Sequence, residues 1–211
     1  MQLIGMLDSP YVRRTAISLR YLNIAFEHKA LSVFSTFEEF QKITPIVKAP
    51  TLVFDDGSVL LDSTLILDYA ETLASSVHLM PQAPQERREL LQIISFALAA
   101  CDKAVQLIYE RNLRPEDKQH QPWLRRVEGQ LVAACQSLEA AVARKPWSFS
   151  RDQVNQAAIT SAVAWQFIQS MLADRLPAGQ YPALVALSEA AELTPEFLAF
   201  PAQGPGVPPA P

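Results

Sequence analysis

The chain has 211 residues, 49% hydrophobic and 19% charged, so it can bury the core of one large domain or two modest ones. Its net charge of −4 gives no general attraction for nucleic acid or for anionic membranes. Residues 1–10 lack the basic start of a signal peptide, and no apolar stretch approaches the roughly 20 residues that span a bilayer.

The first 78 residues alternate strand-like and helical patterns. Strand-like runs cover residues 2–6, 26–31, 51–54 and 58–61. Helical patterns begin at Pro10, at Thr36 (where an irregular turn is the alternative) and at Ser63. The order βαβαββα predicts a mixed sheet, in which the first two strands are parallel and the last two form an antiparallel hairpin around Gly57.

The pattern becomes helical after residues 79–86, which contain two prolines and predict a linker. Residues 87–200 predict an all-helical domain. One of its helices follows a capping arrangement at 152–155 and is apolar nearly all round, so we expect it at the centre of the bundle. Residues 201–211, rich in proline and glycine, predict a disordered or extended tail.

Several chemistries find no support in the sequence. The motifs GxGxxG, GxxxxGK[ST] and GxSxG are absent, which argues against phosphate-binding loops and against a nucleophile elbow. The three histidines are scattered, with no metal-ligand spacing, so we expect no metal site. The two cysteines, Cys101 and Cys135, lie in apolar helical stretches and indicate buried thiols in a reducing compartment, the cytoplasm.

Three short segments of the first domain can bind a small ligand. Ser9 lies where the first strand meets the first helix, so its hydroxyl either caps the helix or donates to an anion such as a thiolate. Asp62 and Ser63 open the third helix and either cap it or bind an ammonium and a carboxylate. Pro50 precedes a strand and is a candidate for a cis bond, in a turn that frees the backbone of Ala49 to pair with an extended ligand.

Taken together, the three segments are similar to the glutathione S-transferase superfamily. The likeness is carried by Ser9-Pro10-Tyr11-Val12-Arg13-Arg14, Lys48-Ala49-Pro50-Thr51-Leu52, Asp62-Ser63-Thr64-Leu65-Ile66 and, near the end, Leu193-Thr194-Pro195-Glu196-Phe197. The likeness covers the chain to about residue 200, and the motifs most resemble those of bacterial members of the superfamily. The resemblance implies a thioredoxin-like N-terminal domain (α/β), an all-helical C-terminal domain and a homodimer.

The resemblance also implies roles for individual residues. Ser9 would hydrogen-bond the sulfur of glutathione and lower the pKa of its thiol. Ala49 would pair through its backbone with the cysteinyl part of glutathione, while Pro50 holds the turn. Asp62 would bind the γ-glutamyl ammonium of glutathione, and Ser63 would bind the γ-glutamyl carboxylate. Lys48 would reach the glycyl carboxylate.

Two further residues of the first helix have alternative interpretations. Tyr11 can replace Ser9 as the donor to sulfur, although a residue inside the helix is expected to point away from its start. Arg13 either contacts an anion near the thiol or forms an ion pair with the second domain, and we favour the ion pair. Trp165 and Phe167 are expected in the core rather than in a substrate wall.

The sequence departs from the family pattern at a few positions. Val47 stands where the family often has a flexible glycine, Asp62 replaces the common glutamate, and Leu193 stands where arginine is frequent. We expect conjugation of glutathione to a small electrophile. The alternatives are a glutathione-dependent reductase or isomerase, and a non-catalytic interaction protein on the same fold, as in relatives that bind RNA polymerase.

Overall fold

Four short strands form the sheet of the first domain. The computed structural model describes residues 1–145 and 147–209. The strands are β1 (Gln2–Ile4), β2 (Glu27–Lys29), β3 (Thr51–Val53) and β4 (Val59–Leu60), in the order β2-β1-β3-β4. β1 pairs parallel with β2, and β3 pairs antiparallel with both β1 and β4. The predicted mixed sheet is confirmed, with strands shorter than the sequence runs suggest.

Three helices pack with this sheet: α1 (Pro10–Tyr21), α2 (Phe37–Ile43) and α3 (Ser63–Leu73). α1 begins where predicted because Ser9 caps it, its hydroxyl accepting a bond from the Val12 N–H at 3.5 Å. α3 is capped by Asp62, whose Oδ1 accepts from the Thr64 N–H at 2.8 Å. The segments that contain Ser9 and Asp62 therefore lie at the N-termini of two helices, where the first backbone N–H groups have no partner within the helix itself.

The second domain consists of α4 (Pro84–Leu113), α5 (Gln121–Val142), α6 (Gln156–Leu172), α7 (Pro182–Glu192) and the short α8 (Pro195–Leu198). α4 begins inside the segment predicted as a linker, because proline is well suited to the first helical turn. The sequence predicts no apolar stretch long enough to span a bilayer, but α4 is long and apolar enough to do so by length and composition alone. In the structure it packs against α5 and α6.

α6 lies at the centre of the helical domain, as predicted. Its cap is Asn155, whose side-chain oxygen accepts from the Ala158 N–H at 3.0 Å. Its residues are buried almost without interruption from Gln156 to Trp165. Because its small side chains allow close approach, α6 packs against α4, α7 and α1 at once.

A buried arginine of α1 connects the two domains. Arg13 is 1% exposed, and its Nη1 and Nη2 donate to the Glu192 carboxylate at 2.6 and 2.7 Å. Its Nε donates to the carbonyl oxygen of Phe200 at 2.8 Å. The ion pair that we favoured for Arg13 is therefore the arrangement observed.

The Pro-rich segment after Phe200 has no helix or strand over residues 201–209. It follows an extended path against the body of the protein, where the Gly206 N–H donates to Asp8 Oδ2 at 2.9 Å and Asn112 Nδ2 donates to the Val207 carbonyl at 3.4 Å. Residues 210 and 211, the end of the predicted tail, lie outside the described residues.

Candidate functional site

A cavity of about 590 Å³ lies between the loops of the first domain and the helices α4 and α6. Almost every residue that the sequence singled out lines this cavity, namely Ser9, Tyr11, Lys48, Ala49, Pro50, Asp62 and Ser63. Arg13 is not among its lining residues, because its guanidinium points to Glu192 instead. Segments far apart in the chain thus meet in one place.

Gly5 explains how two of these segments come so close together. It follows β1 with a φ of +141°, and a Cβ at this position would overlap Val12 and press on Ala49. Only glycine combines this backbone conformation with so close an approach. Gly5 therefore allows the loop that carries Ala49 to lie against the start of α1, next to Ser9.

Ser9 presents a hydroxyl at the positive end of α1. Its oxygen accepts from the Val12 N–H at 3.5 Å, a long bond, and its own N–H donates to the Met6 carbonyl at 3.2 Å. Since the oxygen acts as the acceptor in the cap, the hydroxyl proton can be donated to a group in the cavity. The helix dipole favours a negative charge at that point.

Ser63 is held by an arginine that sequence reasoning did not assign. Arg14 Nη1 donates to the Ser63 hydroxyl oxygen at 3.0 Å, and both residues are nearly inaccessible. Because the oxygen accepts from Arg14, the Ser63 hydroxyl can donate its proton toward the cavity. Burial lowers the pKa of Arg14 to about 10, so the guanidinium is still cationic at neutral pH.

Asp62 both caps α3 and faces the cavity. Its Oδ1 accepts from the N–H groups of Thr64 and Leu65, at 2.8 and 3.4 Å. Its Oδ2 lies 3.7 Å from Lys48 Nζ, and both side chains are about half exposed. The structure therefore provides one carboxylate and one ammonium at the cavity edge, each able to exchange its partner for an oppositely charged group of a ligand.

The Ala49–Pro50 peptide bond is cis, as the position of the proline before β3 predicted. The Ala49 N–H and carbonyl form no backbone hydrogen bond within 1–145 and 147–209. They can therefore pair with an extended ligand as a neighbouring strand would.

Two residues earlier, Val47 has a φ of +48°, a left-handed conformation that glycine adopts easily and β-branched residues rarely do. The loop thus keeps a conformation that suits the glycine frequent at this position.

Tyr11, which was expected to point away from a ligand at the start of α1, is among the residues that line the cavity together with Ser9. The first turn of α1 faces the second domain, so a residue just inside the helix also reaches the cleft. Burial raises the pKa of the Tyr11 phenol, and the phenol is therefore a neutral hydrogen-bond donor at physiological pH.

The far side of the cavity is mostly apolar. Its walls come from α4, α6 and the C-terminal segment, through Leu98, Asp102, Val105, Ile108, Tyr109, Phe167, Met171, Gly206 and Val207. Phe167 is buried as predicted, at 9% exposure, but it also contributes to this wall. Cys101 is buried and does not line the cavity, as expected of a structural thiol.

Sequence reasoning missed Arg14, Asp8 and the residues of the C-terminal segment. The pair Arg13–Arg14 was visible in the sequence, but nothing local distinguishes the arginine that reaches Glu192 from the one that reaches Ser63. The two glycines of the segment, Gly204 and Gly206, were the available signal for its contacts, because isolated glycines often mark a close approach.

Comparison with known proteins places this geometry in a family. Residues 3–78 match the family model for the glutathione S-transferase N-terminal domain. Among solved structures, the chain is similar to a glutathione transferase family member from Pseudomonas fluorescens Pf-5 with bound glutathione. The TM-score is 0.82 at 28% identity, over 94% of this chain and 97% of that chain.

Curated relatives point in the same direction. The chain is 27% identical to the uncharacterized GST-like protein YibF of Escherichia coli K12, over 78% of this chain and 80% of that protein. It is 28% identical to a maleylacetoacetate isomerase of Dictyostelium discoideum, over 54% of this chain and 55% of that protein. The first of these relatives is uncharacterized, and the second is an isomerase.

Proposed function

Because the chain belongs to the glutathione S-transferase superfamily, we propose that it binds glutathione in this cavity and transfers its thiolate to a small electrophile. The observation that carries the proposal is the meeting of Ser9, Ala49 and the Asp62–Ser63 pair in one cavity at the N-termini of α1 and α3. The solved Pseudomonas relative with bound glutathione supports the choice of ligand.

The ends of glutathione match the charged groups of the site. Ser63 offers a hydroxyl proton and a helix N-terminal N–H to the γ-glutamyl carboxylate, while Asp62 Oδ2 accepts from the γ-glutamyl ammonium. Lys48, which pairs with Asp62 at 3.7 Å, turns to the glycyl carboxylate when the ligand enters. The cysteinyl part pairs with the Ala49 backbone, and its sulfur then lies near Ser9.

The first chemical step is loss of the thiol proton to solvent. The Ser9 hydroxyl donates to the sulfur and stabilises the thiolate, as does the dipole of α1, so that the pKa of the bound thiol falls toward neutrality. Tyr11, neutral and in the same wall, is the alternative donor.

The second step forms the carbon–sulfur bond. The sulfur lone pair attacks an electrophilic carbon held against the apolar wall of α4 and α6. In a substitution the leaving group departs with its electron pair; in an addition to an alkenone the neighbouring carbon takes a proton from water. Because this wall is mostly apolar, we infer an uncharged, apolar electrophile as the second substrate.

The similarity to an isomerase favours a second candidate function on the same site. A thiolate that adds to a cis double bond and is then expelled converts the substrate to its trans form with no net consumption of glutathione. Both functions need the thiolate at Ser9. They differ in whether glutathione is consumed, which a thiol assay during turnover measures.

We place the protein in the cytoplasm, where glutathione is abundant and where its two buried cysteines stay as free thiols.

The rival proposal is a non-catalytic interaction protein on the same fold. Calorimetric titration with glutathione separates the two. We expect binding at roughly millimolar glutathione or below, and a loss of about tenfold in Ser63→Ala. If the wild-type protein does not bind at that concentration, the enzyme proposal is overturned.

A further inference from the structure

The segment after Phe200 forms part of the cavity wall. Gly206 and Val207 line the cavity on the same side as Tyr109 of α4 and Met171 of α6. Val207 also packs against the main hydrophobic core and is partly buried there. The end of the chain thus contributes directly to the space in which the second substrate would lie.

Asp8, the residue before Ser9, anchors this segment. Its carboxylate accepts a hydrogen bond from the Gly206 N–H at 2.9 Å. Gly204 lies so close to the same carboxylate that a Cβ on residue 204 would overlap it. Gly206 has a φ of +69°, a conformation that L side chains rarely adopt. Both glycines are therefore required for this contact as it stands.

The segment is fixed at further points along its length. At its beginning, Arg13 donates to the Phe200 carbonyl at 2.8 Å, and the Phe200 ring stacks on Phe26 with centroids 5.7 Å apart. Near its end, Asn112 of α4 donates to the Val207 carbonyl at 3.4 Å. A segment held at Phe200 and again at Gly206 and Val207 can serve as a wall of defined shape.

We propose that Gly206 and Val207 form a specificity-determining wall of the second-substrate site, and that Asp8 positions them through its contacts with Gly204 and Gly206. Val207 provides the apolar contact, and it favours an uncharged electrophile large enough to reach it, such as an aryl alkenone. This inference rests on the proposed function for its chemistry, whereas the anchoring geometry stands by itself.

Kinetics with two alkenones test the wall. Benzalacetone carries a phenyl ring that can reach Val207, and methyl vinyl ketone is too small to do so. In Gly204→Ala the added Cβ displaces the Asp8 carboxylate, so we expect KM for benzalacetone to rise about 5-fold or more while kcat changes less than about 2-fold. KM for methyl vinyl ketone and the Kd for glutathione should stay within about 2-fold of wild type.

Gly179→Ala is the matched control, because a Cβ at Gly179 meets no atom of the described residues within 4 Å. It should leave both alkenones unaffected. A second variant, Val207→Ala, removes the apolar contact without changing the backbone, so the wall can be tested even if Gly204→Ala fails to fold. We expect the same selective rise in KM for benzalacetone in Val207→Ala.

A binding measurement without glutathione separates this inference from the proposed function. Nile red, an uncharged apolar dye, should bind the wild-type protein and bind several-fold more weakly to Gly204→Ala and Val207→Ala, even if no glutathione activity exists. Failure of glutathione to bind would overturn the proposed function alone. If both variants keep the dye affinity and the ratio of the two KM values of the wild-type protein, the proposal that this wall determines specificity is overturned.

Discussion

Arg14 and Ser63 are joined by a hydrogen bond of 3.0 Å between Nη1 and the serine hydroxyl, although 49 residues separate them in the chain. Arg14 is 3% exposed and Ser63 is 2% exposed, so this contact is shielded from water. The Arg14 Nε has no hydrogen-bond partner within the described chain, and Nη1 also donates to Thr64 Oγ1 at 3.5 Å, so the bond to Ser63 is the shorter of the two that compensate the buried guanidinium. The same bond leaves the serine proton free to face the cavity.

Removing the Ser63 hydroxyl should therefore affect stability as well as binding. In Ser63→Ala the Arg14 Nη1 loses its close acceptor, and we expect the free energy of unfolding to fall by about 1–3 kcal/mol. Urea denaturation of the ligand-free protein measures this loss.

Ser18→Ala is the matched control for that measurement. Ser18 lies in the same helix as Arg14 and is 0% exposed, but its hydroxyl has no hydrogen-bond partner in the described residues. Its removal should leave the protein equally stable or more stable. Equal losses in Ser18→Ala and Ser63→Ala would contradict the positioning role of Arg14.

The Arg13–Glu192 pair should contribute to stability and not to ligand binding. Arg13 is buried, whereas the Glu192 side chain is 34% exposed, so solvent screens part of the interaction. In Glu192→Gln we expect the free energy of unfolding to fall by about 2 kcal/mol, between the values for exposed and buried pairs. Denaturation tests the expected loss of stability, and calorimetric titration of the same samples with glutathione tests whether binding is unchanged.

Glu189→Gln serves as the control on the same helix, because Glu189 is exposed and forms no ion pair within 1–145 and 147–209. It should leave stability within about 0.5 kcal/mol of wild type. A loss of glutathione affinity in Glu192→Gln without a loss of stability would contradict the structural role and restore the anion-contact interpretation of Arg13.

The buried thiols predict a loss of stability in alkali. Burial raises the pKa of Cys101 and of Cys135 from 9.0 to about 12. Between those values the unfolded chain releases thiol protons that the folded chain keeps. The unfolded state then binds fewer protons, and stability falls as pH rises, by up to about 1.4 kcal/mol per pH unit for each thiol.

The measurement compares wild type with Cys101→Ala/Cys135→Ala, so that the contributions of ionisable groups distant from the two thiols are common to both proteins. From about pH 8 to about pH 10 the wild-type protein should lose roughly 3 kcal/mol more than the double variant. If both proteins lose stability in parallel, the thiols do not titrate as described.

An apolar surface on α3 predicts self-association. Leu65, Tyr69 and Leu73 lie one helical turn apart on one face of α3 and are 54%, 39% and 44% exposed. We propose that a second copy of the chain covers this face in a homodimer. Light scattering should give twice the chain mass for the wild-type protein and a single chain mass for Leu65→Glu.

Leu193→Glu is the control for the dimer, because Leu193 is 80% exposed but lies after α7, away from α3 in the fold. It should leave the mass unchanged. A wild-type protein that is monomeric at micromolar concentration would contradict the proposal.

Local sequence signals predicted the parts of the site that depend on neighbouring residues. A serine before a proline, a proline before a strand and an aspartate before an apolar helix each act within a few residues, so Ser9, Pro50 and Asp62 could be placed from the sequence. The parallel and antiparallel pairings followed from the connections between strands.

Contacts between distant segments could not be predicted in this way. The bonds of Arg14 to Ser63 and of Gly206 to Asp8 depend on how α1 packs against α3 and on the path of the last residues. The same holds for Tyr11, whose position in the cavity wall depends on the angle at which α1 meets the second domain. Composition alone suggested a tail, but contacts with Asp8, Arg13 and Asn112 hold it against the protein.

The most direct test of the proposed function is the pKa of the thiol in bound glutathione, measured from the ultraviolet absorbance of the thiolate. We predict a value near 7 in the wild-type protein, and a return toward the free value of about 8.5 in Ser9→Ala. Tyr11→Phe should leave the value low. A bound thiol that titrates at its free value in the wild-type protein would contradict thiolate activation, and a shift lost only in Tyr11→Phe would transfer that role from Ser9 to Tyr11.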